Sequence, residues 1–444
     1  MEDKIRFGTD GIRGKADRFP FTQKGLINLG SAISKWSLQK YKTNPKLLIA
    51  SDTRISCEKI RTYLKLSFSK FNIEYEDAGV LPTPAVLQLI QNDPSFNFGI
   101  VISASHNPYT DNGIKIFEGS SGKLSLQDEK IITDLFAQLT NNHYSKNIEE
   151  NVPKHINKSL KNHYVKNIIS HFSSNLLTGI KISLDCANGS TYDVAPEIFR
   201  KLGAEITVLS NKPDGENINN GCGALHPENL QKMVLATKAN FGFAFDGDGD
   251  RVIAVNKEGE LRNGDDVLAA LAQHPQMENT KYIVGTIMTN HGFAKYLEQQ
   301  DKTLIRTPVG DKYISAKLEE EKLVLGGEAS GHIIVKNYLN TGDGIFAALK
   351  TIESLKETNN MEFNSFEKFP QILLNLPVSK KDDLSKPRYA KLIESKQKEL
   401  VNGRIIVRFS GTENVLRVMT EDQNEELANR VAQTLATKLQ EALM

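Results

Sequence analysis

Short apolar runs alternate with longer stretches of helical periodicity along most of the chain. KLLIA (46–50) reads as a buried strand, the stretch from Glu58 to Phe71 as a helix, and IEYED and FGIVI as strands again. The rhythm resumes with IKISLD (180–185), a helix around APEIFRKLG that stops at Gly203, then EITVL and FGFAF. A third round runs through YIVGTIM, a helix near FAKYLEQQ, TLIRT and KLVLGG. Alternation of this kind predicts α/β layers with largely parallel strand pairing.

The rounds look like copies of one another. NFGIVISASHN starts at Asn97 and NFGFAFDGDGD at Asn240, and in each an Asn-Phe-Gly and three apolar residues lead into polar chemistry. The pattern lapses in NNHYSKNIEENVPKH (141–155), in NKEGELRNG (256–264) and in TNNMEFNSFEKFP (358–370), which read as linkers. The expected division is therefore 1–152, 153–256, 257–368 and 369–444. The last part has about seventy-five residues, small for a domain but viable. It reads as a strand, a helix from about Lys386 to Leu400, strands RIIVRF and VLRVMTE, and a closing helix. The expected fold class is α/β: three topologically related mixed α/β domains plus a smaller C-terminal α+β domain.

Composition narrows the class of protein. Of 444 residues, 39% are hydrophobic and 25% charged, and 55 Lys plus Arg against 54 Asp plus Glu leave a formal charge of +1. No global field recruits nucleic acid or an acidic membrane, so an anionic substrate must be held by local basic groups. The opening MEDKIRFGTDGIRG lacks the apolar core of a secretion signal, and no apolar run reaches membrane-spanning length. Cys57, Cys186 and Cys222 form no CxxC pair and leave an odd count, which argues against a disulfide scaffold or a zinc site. A cytoplasmic, multidomain protein without nucleic-acid or membrane partners is expected.

The sharpest chemical signal is FDGDGDRV, where Asp246, Asp248 and Asp250 alternate with glycines directly after an apolar strand. Close-set oxygen ligands suit Mg²⁺ or Ca²⁺, and three like charges so near together repel unless a cation neutralises them. An EF-hand is excluded, because Arg251 and Lys257 occupy its glycine and glutamate positions. In VRFSGTENVLRVMTE (407–421), Arg408, Ser410, Gly411, Thr412 and Arg417 offer the forks, hydroxyls and backbone N–H groups that phosphate oxygens want. GGEASGH (326–332) carries Glu328, Ser330 and His332, side chains able to bond sugar hydroxyls. In SASHNP, Ser105 has no G-x-S-x-G elbow, so by itself it is a turn hydroxyl or a nucleophile.

Taken together, SASHNP, DGDGDR, GGEASGH and RFSGTE, in that order and with FGTDGIRG at the start, resemble the α-D-phosphohexomutase family. The resemblance implies three related α/β domains and a smaller fourth around a central cleft. It implies that Ser105 bears the phosphoryl group and that Asp246, Asp248 and Asp250, with Ser105, hold one Mg²⁺ per chain. Arg13, His106 and Lys115 correspond to groups beside the reacting centre, with His106 and Lys115 as proton handlers. Arg251, Glu328 and Ser330 correspond to substrate binders, and the loop from Arg408 to Arg417 to the binder of the non-reacting phosphate. Asn414 and Phe409 depart from the family's usual residues, but both are neighbours of the phosphate-binding groups and not among them.

The implied reaction interconverts glucosamine 6-phosphate and glucosamine 1-phosphate through a glucosamine 1,6-bisphosphate, a step towards amino-sugar nucleotides. PDGENINNGCGALHPENL (213–230) resembles the glucosamine branch, and Asp311 stands where the mannose and glucose branch usually has histidine. That residue either favours an amine or caps the helix that follows. The rival readings are a phosphomannomutase/phosphoglucomutase, a metal-dependent sugar phosphatase and a sugar-phosphate sensor. Oligomeric state is open, a homodimer included.

Overall fold

The computed structural model describes residues 5–8, 11–41, 44–119, 122–140, 155–410 and 414–443. The expected boundary at residue 152 lies outside the described residues, as do Gly411 and Thr412.

Three sheets repeat one topology. In the first, strands Glu74–Val80, Lys46–Ser51 and Phe98–Ile102 lie parallel, and Asp111–Glu118 returns antiparallel. In the second, Glu205–Leu209, Lys181–Asp185 and Phe241–Phe245 are parallel, and Val252–Asn256 returns antiparallel. The third repeats this with Thr303–Thr307, Tyr282–Thr286 and Leu325–Gly327, then Ile333–Val335. The expectation of largely parallel pairing is corrected at the fourth strand each time. There the polar stretch is too short to carry a crossover helix, so the chain turns straight back. KLVLGG likewise yields a strand only over Leu325–Gly327.

The repeated asparagines do one job twice. Asn97 exchanges hydrogen bonds with the backbone of Lys46, through its own N–H and its side-chain oxygen, both at 2.8 Å. Asn240 does the same to Lys181 at 2.8 and 2.9 Å. Each thus pins the third strand to the first. FGIVI and FGFAF are buried throughout, the burial expected of strands covered on both faces. One apolar core runs from Leu48 and Val86 through Phe199 and Phe243 to Phe293 and Phe366.

The fourth sheet is wholly antiparallel, with Val415–Glu421 between Gln371–Pro377 and Arg404–Phe409. Helices Pro387–Gln397 and Glu425–Leu443 cover it through Tyr389, Leu435 and Leu439. The 358–370 segment is packed, not slack: Phe363, Phe366 and Phe369 are buried, and the Asn290 side chain bonds both backbone groups of Phe369. Arg404 adds a tie from this sheet to the third, donating to the carbonyls of Ile287 and Thr289 at 2.6 Å each. Among the described residues, no helix is long and apolar enough to cross a membrane.

Candidate active site

The polar stretches 103–110, 246–251 and 328–332 sit at hairpin tips, each between a strand and its antiparallel successor, and the fourth begins at Ser410, after strand Arg404–Phe409. The first three converge. Glycine makes the approach possible at Gly247, where a Cβ would lie 2.6 Å from the Ser105 carbonyl oxygen. At Gly249 the backbone takes φ +72°, a conformation that favours glycine.

Ser105 itself takes φ 53°, unusual for a residue with a side chain. Its hydroxyl donates to Asp246 Oδ2 at 2.7 Å and lies 3.2 Å from His106 Nδ1. Burial and the charges of Arg251 and Arg13 push the His106 pKa down to about 4, so the ring is neutral near pH 7. From the strand that follows, Lys115 places its ammonium 2.7 Å from Asp248 Oδ2 and 3.4 Å from Asp250 Oδ2. The hydroxyl of Thr83 also donates to Asp248 Oδ2.

The three aspartates are buried and offer ligand atoms within 4.8 Å of one another. Burial and the charges of Asp250 and Asp248 raise Asp246 well above the usual carboxylate range. In Asp250, burial is outweighed by Lys115, His332 and Arg251, which hold it low. Asp248 Oδ1 and Asp250 Oδ1 are buried without a hydrogen-bond partner. Bare carboxylate oxygens in an acidic pocket fit a hard divalent cation. A second cluster, His274 with Glu353 and Glu357, does not fit one. His274 Nδ1 accepts from Gln276 N at 3.0 Å, which leaves the proton on Nε2 facing Glu353 at 3.1 Å.

Beside Asp250 opens a cavity of about 550 Å³, within the range of small-molecule sites. Arg13 and His106 line it from the first sheet's side, Asp250 and Arg251 from the second's, and Glu328, Ser330 and His332 from the third's. Glu328 Oε1 accepts from Gly310 N at 3.0 Å. Asp311 also lines the cavity, as the first residue of helix Asp311–Glu320, with Gly310 in the cap position that sequence gave to the aspartate. Its carboxylate is paired with Lys123, so its charge is already met.

Arg408 and Arg417 stand directly opposite each other across the last hairpin and do not line that cavity. Burial and the neighbouring charge of Arg417 lower the Arg408 pKa. Like charges directly opposite on adjacent strands repel, and an anion bound between them relieves the repulsion. Ser410 is buried beside them.

Sequence reasoning missed several residues here. Arg54 is 2% exposed and donates to the carbonyls of Ser105 and Asn107 at 2.9 and 2.7 Å. Asn219, inside the PDGENINNGCG stretch, donates to the same two oxygens at 2.9 and 3.2 Å. That stretch therefore braces the Ser105 hairpin, and none of its residues lines the cavity. The available signal was position: SDTR directly follows strand KLLIA, where an α/β sheet opens its crevice.

Residues 4–143, 162–259 and 263–370 match the phosphoglucomutase/phosphomannomutase alpha/beta/alpha domains I, II and III, and 373–438 match the C-terminal domain. Phosphoglucosamine mutase of Syntrophus aciditrophicus is 38% identical over 446 residues, 98% of this chain and 99% of its own length. The enzyme of that name from Acinetobacter baylyi is 40% identical over 443 residues, 97% of this chain and 99% of its own. Among solved structures, a phosphoglucomutase/phosphomannomutase family protein of Burkholderia thailandensis superposes with a TM-score of 0.79 at 22% identity, covering 99% of this chain and 97% of that one. N-acetylphosphoglucosamine mutase of Aspergillus fumigatus, solved with GlcNAc-6P and magnesium, gives 0.67 at 18% identity, covering 99% and 96%. At these identities the solved structures share the fold.

Proposed function

The chain belongs to the phosphoglucomutase/phosphomannomutase family, and we propose that within it the chain is a phosphoglucosamine mutase, interconverting glucosamine 6-phosphate and glucosamine 1-phosphate. The observation that supports this most is the 2.7 Å hydrogen bond from Ser105 Oγ to Asp246 Oδ2, a hydroxyl set against an acidic triad beside a sugar-sized cavity.

In this reading Ser105 carries a phosphoryl group. A free hydroxyl of the bound sugar phosphate attacks phosphorus; its O–P bond forms as the Ser105 Oγ–P bond breaks. The hydroxyl proton passes to a base, for which neutral His106 is the candidate, and the same base returns it to the departing serine oxygen, 3.2 Å from His106 Nδ1. The product of this half-reaction is glucosamine 1,6-bisphosphate. After it turns in the cleft, its other phosphoryl group returns to Ser105. Asp246, Asp248 and Asp250, with an oxygen of phosphorylated Ser105, would hold Mg²⁺, which when bound neutralises phosphoryl oxygens.

Lys115, Arg13 and Arg251 supply fixed positive charge around the reacting group. Glu328 and Ser330 bind sugar hydroxyls. The non-reacting phosphate falls to Arg408, Ser410, Arg417 and, in the part of the loop outside the described residues, Gly411 and Thr412. Three buried, unpaired cysteines fit a reducing cytoplasm.

The test is kcat/KM for glucosamine, glucose and mannose phosphates under one set of conditions, with products identified by phosphorus NMR. A glucosamine preference of about tenfold or more, roughly 1.4 kcal/mol, is expected. Equal or better turnover of mannose 1-phosphate moves the chain to the sister branch. Inorganic phosphate as the main product makes it a phosphatase.

A further inference from the structure

We propose that Arg54 is a positioning residue for Ser105: paired with Asp52, its guanidinium ties the carbonyls of the 105–111 loop into the one conformation that aims Oγ at the aspartates. The inference rests on the reading of Ser105 as the phosphoryl carrier.

Every N–H of the guanidinium is used. Nε donates to Asp52 Oδ2 at 2.8 Å. One terminal nitrogen donates to the carbonyls of Pro108 and Asp111, the second at 3.1 Å, and the other to those of Ser105 and Asn107 at 2.9 and 2.7 Å. Apart from Asp52, all acceptors belong to one seven-residue stretch. The other end of Ser105 is held through the same pair, since Ser105 N donates to Ser103 Oγ at 2.9 Å and Ser103 Oγ donates to Asp52 Oδ2 at 2.6 Å. Both backbone groups of Ser105 are thus fixed, on either side of its φ of 53°.

A left-handed serine is unfavourable and persists only where its surroundings over-determine it. The Asp52–Arg54 pair, both side chains fully buried, supplies most of that surrounding, and Asn219 adds a donor to two of the same carbonyls. An ordinary structural ion pair would tie one helix or strand to another. This one spends its donors on the loop that carries Ser105 and His106. Lysine cannot replace it, because an ammonium has three donors and no planar fork to span four carbonyls.

Arg54→Lys should therefore lower kcat about a hundredfold, as expected for a reacting atom displaced by about 1 Å. KM for glucosamine 6-phosphate should stay within about threefold, since Glu328 and Ser330 are untouched. The rate at which glucose 1,6-bisphosphate phosphorylates Ser105, followed by intact mass, should fall by the same factor as kcat. If Arg54→Lys fails to fold, D52N/R54Q removes both buried charges together and leaves no uncompensated one; it carries the same expectation. A folded variant whose kcat is within about threefold of the parent overturns the inference. So does a loss of kcat matched by a loss of folded fraction at the assay temperature. Ser105→Ala is assayed alongside: if it keeps turning over, the phosphoserine reading fails; if it is inactive while Arg54→Lys is not, only the positioning role fails.

Discussion

Lys115 reaches out of the first sheet and its ammonium lies 2.7 Å from Asp248 Oδ2, in the hairpin of the second. Both side chains are almost wholly buried, so the pair joins two sheets and tempers three crowded carboxylates. Lys115→Met leaves those carboxylates uncompensated, a loss of about 3–5 kcal/mol for a broken buried pair. In chelator the melting temperature should drop by about 5 °C or more, and millimolar Mg²⁺ should recover part of it. An unchanged melting curve in chelator would contradict the electrostatic account.

Ser105→Ala should abolish turnover and the extra mass of one phosphoryl group on the intact protein. The parent should lose that mass on phosphatase treatment and regain it from glucose 1,6-bisphosphate. Near-parental turnover by the alanine variant would exclude a phosphoserine.

Asp248 offers one oxygen to Lys115 and Thr83 and keeps the other without a partner. Asp248→Asn should cost at least about a hundredfold in kcat, because the phosphoryl oxygens lose part of their neutralisation. Activity should vanish in chelator and return with Mg²⁺. Full activity in excess chelator rules the cation out.

Arg417 faces Arg408 across the last hairpin. With this hairpin as the proposed phosphate binder, Arg417→Ala should cost about 1.5–3 kcal/mol, or roughly ten- to a hundredfold in kcat/KM, mostly through KM. Kinetics of Arg417→Ala that match the parent would detach this loop from substrate binding.

Asp343 caps helix Gly344–Glu357, with Oδ1 accepting from Phe346 N and Oδ2 from the hydroxyls of Tyr164 and Tyr338. Burial raises its pKa from 3.8 to about 6. The folded state thus keeps a proton that the unfolded chain releases, so this residue's contribution to stability falls as pH rises from about 4 to about 6 and is level above that. Asp343→Asn keeps the cap and removes the titration. Its melting temperature should gain on the parent as pH rises through that window; a difference independent of pH would refute the shift.

Much of this protein is local information. Periodicity and turn chemistry marked the parallel strands of the first three sheets, because FGIVI or FGFAF can be satisfied only by burial between layers, but not the antiparallel returns Asp111–Glu118, Val252–Asn256 and Ile333–Val335. The Asn-Phe-Gly repeat announced the duplicated topology, and DGDGD announced the acidic loop, since both depend on neighbours in sequence. What the sequence left open was partnership at a distance. Ser105 and Asp246 are 141 residues apart, and whether that serine is a turn hydroxyl or part of a site depends on the two hairpins meeting. Asp311 looked available to an amine until Lys123 turned out to hold it. Arg54 had one signal in the sequence, its place just after strand KLLIA, and nothing there said what it would hold. Its meaning comes from four carbonyls on a loop some fifty residues later, brought within reach only when the first sheet closes. Hydrophobic pattern determines which segments are buried, but a polar group's role is set by which other polar groups burial leaves it to satisfy.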